Sequence, residues 1–185
     1  RSRLMSTLTV QNIQGSSSSS NTISVASGHK ISGASGAMAI SGGVVQVLYT
    51  TYGTMVNSTA TTYVDLCNIV ITPKLAGSKF FLYAGFMTSG AGVLNLFRGS
   101  TQIHSHHATD PYTLWGYNQS AWNNNSPRMQ TSQTHLDEPT YNLGDSITYH
   151  VKFRSRSSSG AGGMGINERT EGSTMSNFTV MEIAG

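Results

Sequence analysis

An alternating run near the carboxyl end of the chain constrains the fold more than any other stretch. Over residues 146–154, apolar and polar side chains alternate, which is the period of a β-strand that covers a core with one face. The apolar members are Ile147, Tyr149, Val151 and Phe153. The opposite face carries Thr148, His150, Lys152 and Arg154. We therefore predict a strand whose apolar face is buried.

The last ten residues repeat this pattern after a connection rich in Ser and Gly. Phe178, Val180 and Ile183 lie in a second strand-like run and are candidates for the core. We expect this last strand to be paired and buried in a sheet rather than frayed. We also expect it to form a strand pair with the run over residues 146–154.

Short strands separated by turns are predicted upstream as well. Apolar and β-branched runs cover residues 44–49, 59–66, 67–72, 79–86 and 93–98, and no amphipathic helix interrupts them. Turn signals recur about every 10 residues, which is typical of an all-β sandwich or barrel. Cys67, the single cysteine of the chain, has apolar neighbours that favour a small buried side chain over a nucleophile.

The first 43 residues have a different composition. Short apolar patterns, at residues 8–13 and 22–25, lie within stretches of Ser, Gly and Ala, and they are too sparse to bury a core of their own. A flexible linker and a trimerising stalk both fit, and the strand-like recurrence of apolar residues favours the stalk. We predict an extended N-terminal arm in residues 1–43 and a β-sandwich head in residues 44–185.

Composition excludes several functions. Charged residues make up 10% of the 185 residues, and the formal net charge of +3 is too small an excess to imply nucleic-acid binding. No window approaches about 18 consecutive apolar residues, so we expect no membrane insertion. The first five residues lack the apolar segment of a secretory signal. Assembly inside a cell and release by lysis fits this pattern.

Aromatic and histidine residues concentrate between Thr101 and Pro139, where both tryptophans lie. Rings beside amides and hydroxyls suit a saccharide or protein contact surface, because rings supply area and polar groups supply direction. The alternative is that the tryptophans plug the end of the sandwich. The candidate receptor-contact residues are Tyr112, Trp115, Tyr117, Trp122, Asn123 and Asn124.

The sequence offers few candidate residues for metal binding or catalysis. His104 and His106 would share one side of a strand, and three copies around an axis would supply six ligands, but a solvated histidine-rich loop is the simpler interpretation. Asp110, Asp137 and Glu138 are candidate acids for glycoside hydrolysis, although sequence spacing does not set their separation in space. Because no catalytic or phosphate-binding motif is present, we predict a non-enzyme without metal or cofactor.

The basic residues His150, Lys152 and Arg154, extended by Arg156, form one row on the predicted strand. Such a row binds an anionic glycan or the acidic groups of a partner chain, or it simply keeps a strand face soluble. The last interpretation is favoured, since a surface charge row needs no partner.

Several short motifs follow one another in a set order. They cover residues 44–47, 61–65, 69–74, 77–80, 94–103, 136–139, 147–153 and 178–183. In this order they resemble the C-terminal domain of tail-fibre and other virion structural proteins of tailed bacteriophages. Residues 8–15 and 21–31 are similar to the segment that precedes such domains.

The resemblance implies an antiparallel jelly-roll β-sandwich similar to the trimeric tumour-necrosis-factor and complement-type heads. It further implies a homotrimer on a stalk in the virion. The arm would bind other tail or capsid proteins, and the distal head would contact a host-surface glycan or protein. A purely structural capsid or tail decoration protein and a glycan-degrading fibre head are the alternatives. The resemblance assigns no receptor residue, so the aromatic candidates above rest on composition.

Overall fold

The structure, a computed structural model, describes residues 27, 41–90, 92–104, 129–155, 164–167 and 176–185. Within these residues the chain forms ten strands and no helix. The strands are β1 (Val44–Tyr52), β2 (Val56–Ser58), β3 (Val64–Ile71), β4 (Lys79–Gly90), β5 (Gly92–Arg98), β6 (Thr101–Gln102), β7 (Met129–Asp137), β8 (Ile147–Ser155), β9 (Met164–Ile166) and β10 (Ser176–Ile183). The predicted arm lies outside the described residues, apart from Ser27 and residues 41–43.

The strands form two antiparallel sheets that pack face to face. In sheet A the long strands have the order β1-β10-β4, and β7 pairs with the other side of β4. The short strand β9 pairs with the end of β4 beyond β10, and the short strand β2 pairs with β9. Sheet B has the order β3-β8-β5-β6. Successive long strands cross between the sheets as in a jelly roll. The predicted all-β, antiparallel jelly-roll sandwich is therefore confirmed for the head.

The core lies between the sheets and follows the period of two. All four apolar residues predicted for the inner face of β8 are buried: Ile147, Tyr149, Val151 and Phe153. Sheet A supplies the opposing layer from β4 and β10: Phe80, Leu82, Ala84, Phe86, Phe178 and Val180. Large aromatic and aliphatic side chains of this kind supply most of the favourable free energy of burial in such a sandwich.

Strand β10 is paired on both sides, with β1 and with β4, as expected for the last strand. Two related predictions are wrong. Strand β10 does not pair with β8, which lies in sheet B between β3 and β5. Ile183 is not a core residue, because side chains alternate along a strand: the face that buries Phe178 and Val180 also buries Glu182, which is 0% exposed.

The two strands predicted over residues 59–66 and 67–72 form one strand, β3, that begins at Val64. A β-bulge interrupts its pairing with β8 between Asp65 and Cys67. A bulge adds one residue to a strand and so shifts the alternation of faces. For this reason Leu66 and Ile69, three residues apart, both reach the core.

The sandwich has two distinct ends. At the first, which we call the arm end, the chain enters β1: the Gly42 amide donates to the Ala184 carbonyl (2.8 Å), and Ile183 lies beside Val44 and Lys79. At the second, which we call the insert end, β4 finishes and β7 begins, with Met129 opposite Thr88. The chain therefore reaches the sandwich at one end and builds β7 from the other.

Asn167 fastens strands together at the insert end. It adopts a positive φ of 52° and is buried. Its side-chain nitrogen donates to the Tyr52 carbonyl (2.6 Å), its side-chain oxygen accepts from the Ser176 hydroxyl (2.6 Å), and its amide donates to the Met87 carbonyl. Asn tolerates this backbone conformation better than most residues, and here the side chain links β1, β4 and β10.

Candidate functional site

The six candidate receptor-contact residues, Tyr112, Trp115, Tyr117, Trp122, Asn123 and Asn124, lie outside the described residues. The structure describes the two strands on either side of this segment. It follows β6, the edge strand of sheet B, and precedes β7, the edge strand of sheet A. It returns to the sandwich at Met129, at the insert end. We call residues 105–128 the insert.

His104, the last described residue before the insert, is held against β7. Its Nδ1 lies 2.5 Å from Nε2 of the fully buried Gln133, and its ring meets the His135 ring edge-on at 5.5 Å. The described residues contain no group of three or more His, Cys, Asp or Glu side chains arranged for a metal ion. His106 lies outside them, so the weak metal candidates His104 and His106 stay a prediction.

Asp137, a candidate acid, joins the two sheets. Its carboxylate oxygens accept from Nη1 of Arg98 (both 2.7 Å), and one of them also accepts from the Tyr149 hydroxyl (2.8 Å). Asp137 belongs to sheet A, while both donors belong to sheet B. Burial raises the pKa of Tyr149, and the hydrogen bond to Asp137 raises it further, so the phenol keeps its proton and donates. These contacts occupy the oxygens that catalysis would need.

The other candidate acids do not converge on Asp137. Glu138 is exposed and pairs with Lys79 across 2.7 Å, whereas Asp137 is buried. Asp110 lies outside the described residues. Since glycoside hydrolysis needs two carboxylates facing one bond, Asp137 and Glu138 do not form such a pair.

The basic row of β8 lies on the outer face of sheet B and is less solvated than predicted. The His150 and Lys152 side chains are 19% and 18% exposed. Both approach one oxygen of Asp65, with His150 Nδ1 at 3.1 Å and Lys152 Nζ at 3.2 Å. The difference arises because β8 is a central strand, so side chains of β3 and β5 flank it on both sides.

Aromatic rings support the two cations of this row. Lys152 Nζ lies 5.1 Å from the centre of the Phe97 ring, and the Arg154 guanidinium carbon lies 5.4 Å from the centre of the Tyr63 ring. The two rings contact each other edge to face at 4.9 Å. Cations over aromatic faces are attracted to the ring quadrupole. We call Tyr63, Asn95, Phe97, Lys152 and Arg154 the Arg154 cluster.

Asn95 fixes the Tyr63 ring of this cluster. Its side-chain oxygen accepts from the Tyr63 hydroxyl (2.6 Å) and from Gln102 Nε2 (3.1 Å), and its nitrogen then donates to the carbonyls of Leu94 and His104. The sequence predicted the basic row but not its aromatic and amide neighbours. These neighbours follow from the register of β5 against β8, which places Asn95 beside Lys152 and Phe97 beside His150. Periodicity alone does not predict that register.

The outer face of sheet A carries an apolar row. One row across four strands consists of Val47, Met181, Phe81 and Leu136. The next row consists of Tyr49, Thr179, Tyr83 and Thr134. Val47 is 50% exposed, Tyr49 75% and Leu136 46%. Exposed apolar side chains in one row are a candidate interaction surface, so the two outer faces of the head differ in chemistry.

No protein-family model matches the chain, and no curated protein matches it. In the part that the structure describes, no helix is long and apolar enough to cross a membrane.

Proposed function

We propose that this chain is a virion structural protein of a tailed bacteriophage, a tail fibre or spike, whose head forms a homotrimer and contacts the host surface. The observation that carries the proposal is the apolar outer face of sheet A on a jelly-roll head. The ordered motifs that resemble phage fibre domains supply the biological context.

The apolar face supports the homotrimer. A monomer would leave Val47, Tyr49 and Leu136 in water, at an unfavourable free energy. Around a closed rotation axis, identical faces bury one another and leave no unpaired apolar surface. The charged outer face of sheet B then points away from the axis, which keeps an assembly with few charged residues soluble.

The positions of the two ends support host contact through the insert. The chain enters the sandwich at the arm end, next to Ala184, while the insert returns at Met129, at the opposite end. In a fibre whose arm binds other tail or capsid proteins, the insert end faces away from the particle. On this proposal, the segment that carries the receptor-contact candidates Trp115 and Trp122 rejoins the head at its distal end, at Met129.

The contacts of Asp137 support attachment without catalysis. Arg98 and Tyr149 engage its two oxygens, and Glu138 is paired with Lys79 at the surface. Neither residue is arranged as a general acid or a nucleophile towards a glycosidic bond. These contacts support the proposal that the protein binds the host surface without cleaving it.

Cell labelling by the purified full-length chain tests the proposal. We expect the chain to sediment as a trimer and to label cells of susceptible bacterial strains. Trp115→Ala with Trp122→Ala should reduce labelling at least tenfold while the variant still sediments as a trimer. A monomer at micromolar concentration would overturn the assembly. A trimer that labels no strain would indicate a decoration protein, and steady release of reducing ends from surface polysaccharide would indicate an enzyme.

A further inference from the structure

We infer that the Arg154 cluster is a subsite for the carboxylate group of an acidic sugar. The inference rests on the proposed contact with the host surface and names the chemistry of one part of the ligand. The cluster lies on the outer face of sheet B, outside the insert to which the sequence assigns receptor contact.

Arg154 is a cation without a counter-ion among the described residues. Asp65 is engaged by His150 and Lys152, and the other described ion pairs, Arg98 with Asp137 and Lys79 with Glu138, lie elsewhere. Arg154 lies over the Tyr63 ring, and its Nε–H, which has no acceptor, is buried, so a ligand would bind at the Nη groups. A partly buried guanidinium without a counter-ion is destabilising unless an anion binds it.

The guanidinium is held in place before any ligand arrives. Arg154 lies over the Tyr63 ring, and that ring is fixed on its edge by Phe97 and at its hydroxyl by Asn95. A side chain that is already ordered loses less conformational entropy on binding. The planar fork of a guanidinium matches the two oxygens of a carboxylate.

The surroundings favour a sugar over a protein partner. Protein interfaces are built around large apolar anchors, and the exposed large apolar side chains of the described chain lie elsewhere, mainly on sheet A. On the outer face of sheet B the exposed one is Val70, opposite Thr148, and Thr148 is six residues along β8 from Arg154. A sugar needs no such anchor, and its carboxylate can pair with the guanidinium of Arg154.

The cluster also lies near the insert end. Arg154 is opposite Val93 at the start of β5, and the next residue, Ser155, donates its amide to the Ala60 carbonyl (2.7 Å). Met129, the first described residue after the insert, lies at this same end. One glycan chain that reaches the insert end can therefore also place a carboxylate on Arg154.

Titration of the full-length chain with D-glucuronate, observed by NMR at the arginine Nε–Hε signals, tests this inference. We expect the Arg154 signal to shift and saturate with D-glucuronate and not with D-glucose. Arg154→Lys keeps the charge but loses the planar fork, so it should weaken glucuronate binding, followed at neighbouring backbone amides, by about tenfold. Lys74→Gln, which removes a second described cation without an ion pair, is the matched control and should bind like the unaltered chain.

Any of the following results would overturn the inference. A response to glucose equal to that of glucuronate, or no saturable shift, would exclude recognition of the carboxylate. Tighter binding of inorganic phosphate would indicate a phosphate site, and tighter binding of a triglutamate peptide would indicate a protein partner. If Arg154→Lys trimers label cells like the unaltered chain and glucuronate does not bind, the inference fails while the proposed function stands.

Discussion

Two carboxylates lie inside the sandwich, and each is compensated in a different way. Asp137 is matched by a cation and a phenol from the opposite sheet. Glu182 instead accepts from the backbone amides of Lys74 and Leu75 and from the Ser78 hydroxyl. Buried charge is tolerated only with such partners. The first carboxylate joins the two sheets, and the second holds a turn against the strand that carries it.

Asp137→Asn should destabilise the head by about 2–3 kcal/mol, because it leaves the Arg98 guanidinium without a counter-ion beside the core. Chemical denaturation at fixed protein concentration measures the free energy of unfolding. The control is Glu138→Gln, which breaks an exposed ion pair with Lys79 and should change stability by less than about 0.5 kcal/mol. Equal effects of the two substitutions would contradict the role assigned to Asp137.

Cys67 should react slowly with thiol reagents in the folded protein. Burial raises the pKa of its thiol to about 12, and the nearby Asp65 charge adds to the shift. At pH 8 only about one thiol in 10,000 is then ionised, and the thiolate is the reactive form. Modification by a disulfide reagent should be at least about a hundredfold slower than in denaturant, where the pKa is ordinary. Comparable rates would show that the thiol is not shielded.

At the scale of single residues, the sequence predicted the core of β8 completely, since alternation alone decides which side chains face inward. It failed at Ile183, which lies outside while Glu182 lies inside, because hydrophobicity favours Ile183 as a core residue whereas the period of two from Phe178 and Val180 places Glu182 inward. It also missed the partners of Arg154. Contacts such as that with Tyr63 depend on how distant strands align, and no local pattern encodes that alignment.

At the scale of elements, β10 is the strand on which the most contacts depend. It pairs with β1 and β4, and its Glu182 organises residues 73–78, the turn that carries the chain from sheet B to sheet A. Gly77 gives this turn its positive φ of 72°, which other residues rarely adopt. Turn and strand therefore form one unit across the arm end.

Glu182→Gln should destabilise the head by about 2 kcal/mol, because the new amide group presents donors to the amides that the carboxylate accepted. Hydrogen exchange should show loss of protection at the Lys74 and Leu75 amides, with β8 protected as before. Ser78→Ala removes one donor and leaves the carboxylate in place, so it should cost about 1 kcal/mol. Unchanged exchange at Lys74 and Leu75 in Glu182→Gln would contradict this account.

The sequence predicted most of the long strands but not their order in space. The runs around β1, β4, β5, β8 and β10 were recognised because each has apolar residues at strand spacing. The short strands β2 and β9, each three residues long, carry too little pattern to be seen. The pairing of β10 with β1 and β4, rather than with β8, is set by the crossing of the chain between sheets. That crossing depends on how all the strands pack around the core, and no single run of residues predicts it.

At the scale of the whole molecule, the two outer faces make a direct test of assembly. Leu136→Glu places a charge within the apolar row of sheet A and should convert the proposed trimer to monomers of 19.7 kDa, since burial of an unpaired carboxylate opposes association. Val70→Glu makes the same change on the outer face of sheet B, at a similarly exposed site, and should leave the trimer intact. Sedimentation at several concentrations distinguishes them. If Val70→Glu alone caused dissociation, the association surface would lie on sheet B and not on sheet A.

The central place of β10 in sheet A has a consequence for synthesis. Strands β1 and β4 leave the ribosome long before β10, yet β10 separates them and hydrogen-bonds to both. The edges of β1 and β4 that face β10 must therefore stay unpaired until β10 is made, although β4 can already pair with β7, and folds dominated by such distant pairings form slowly. A nascent chain interrupted before β10 cannot complete sheet A or present its outer face. We therefore expect incomplete polypeptides to be excluded from the proposed trimer.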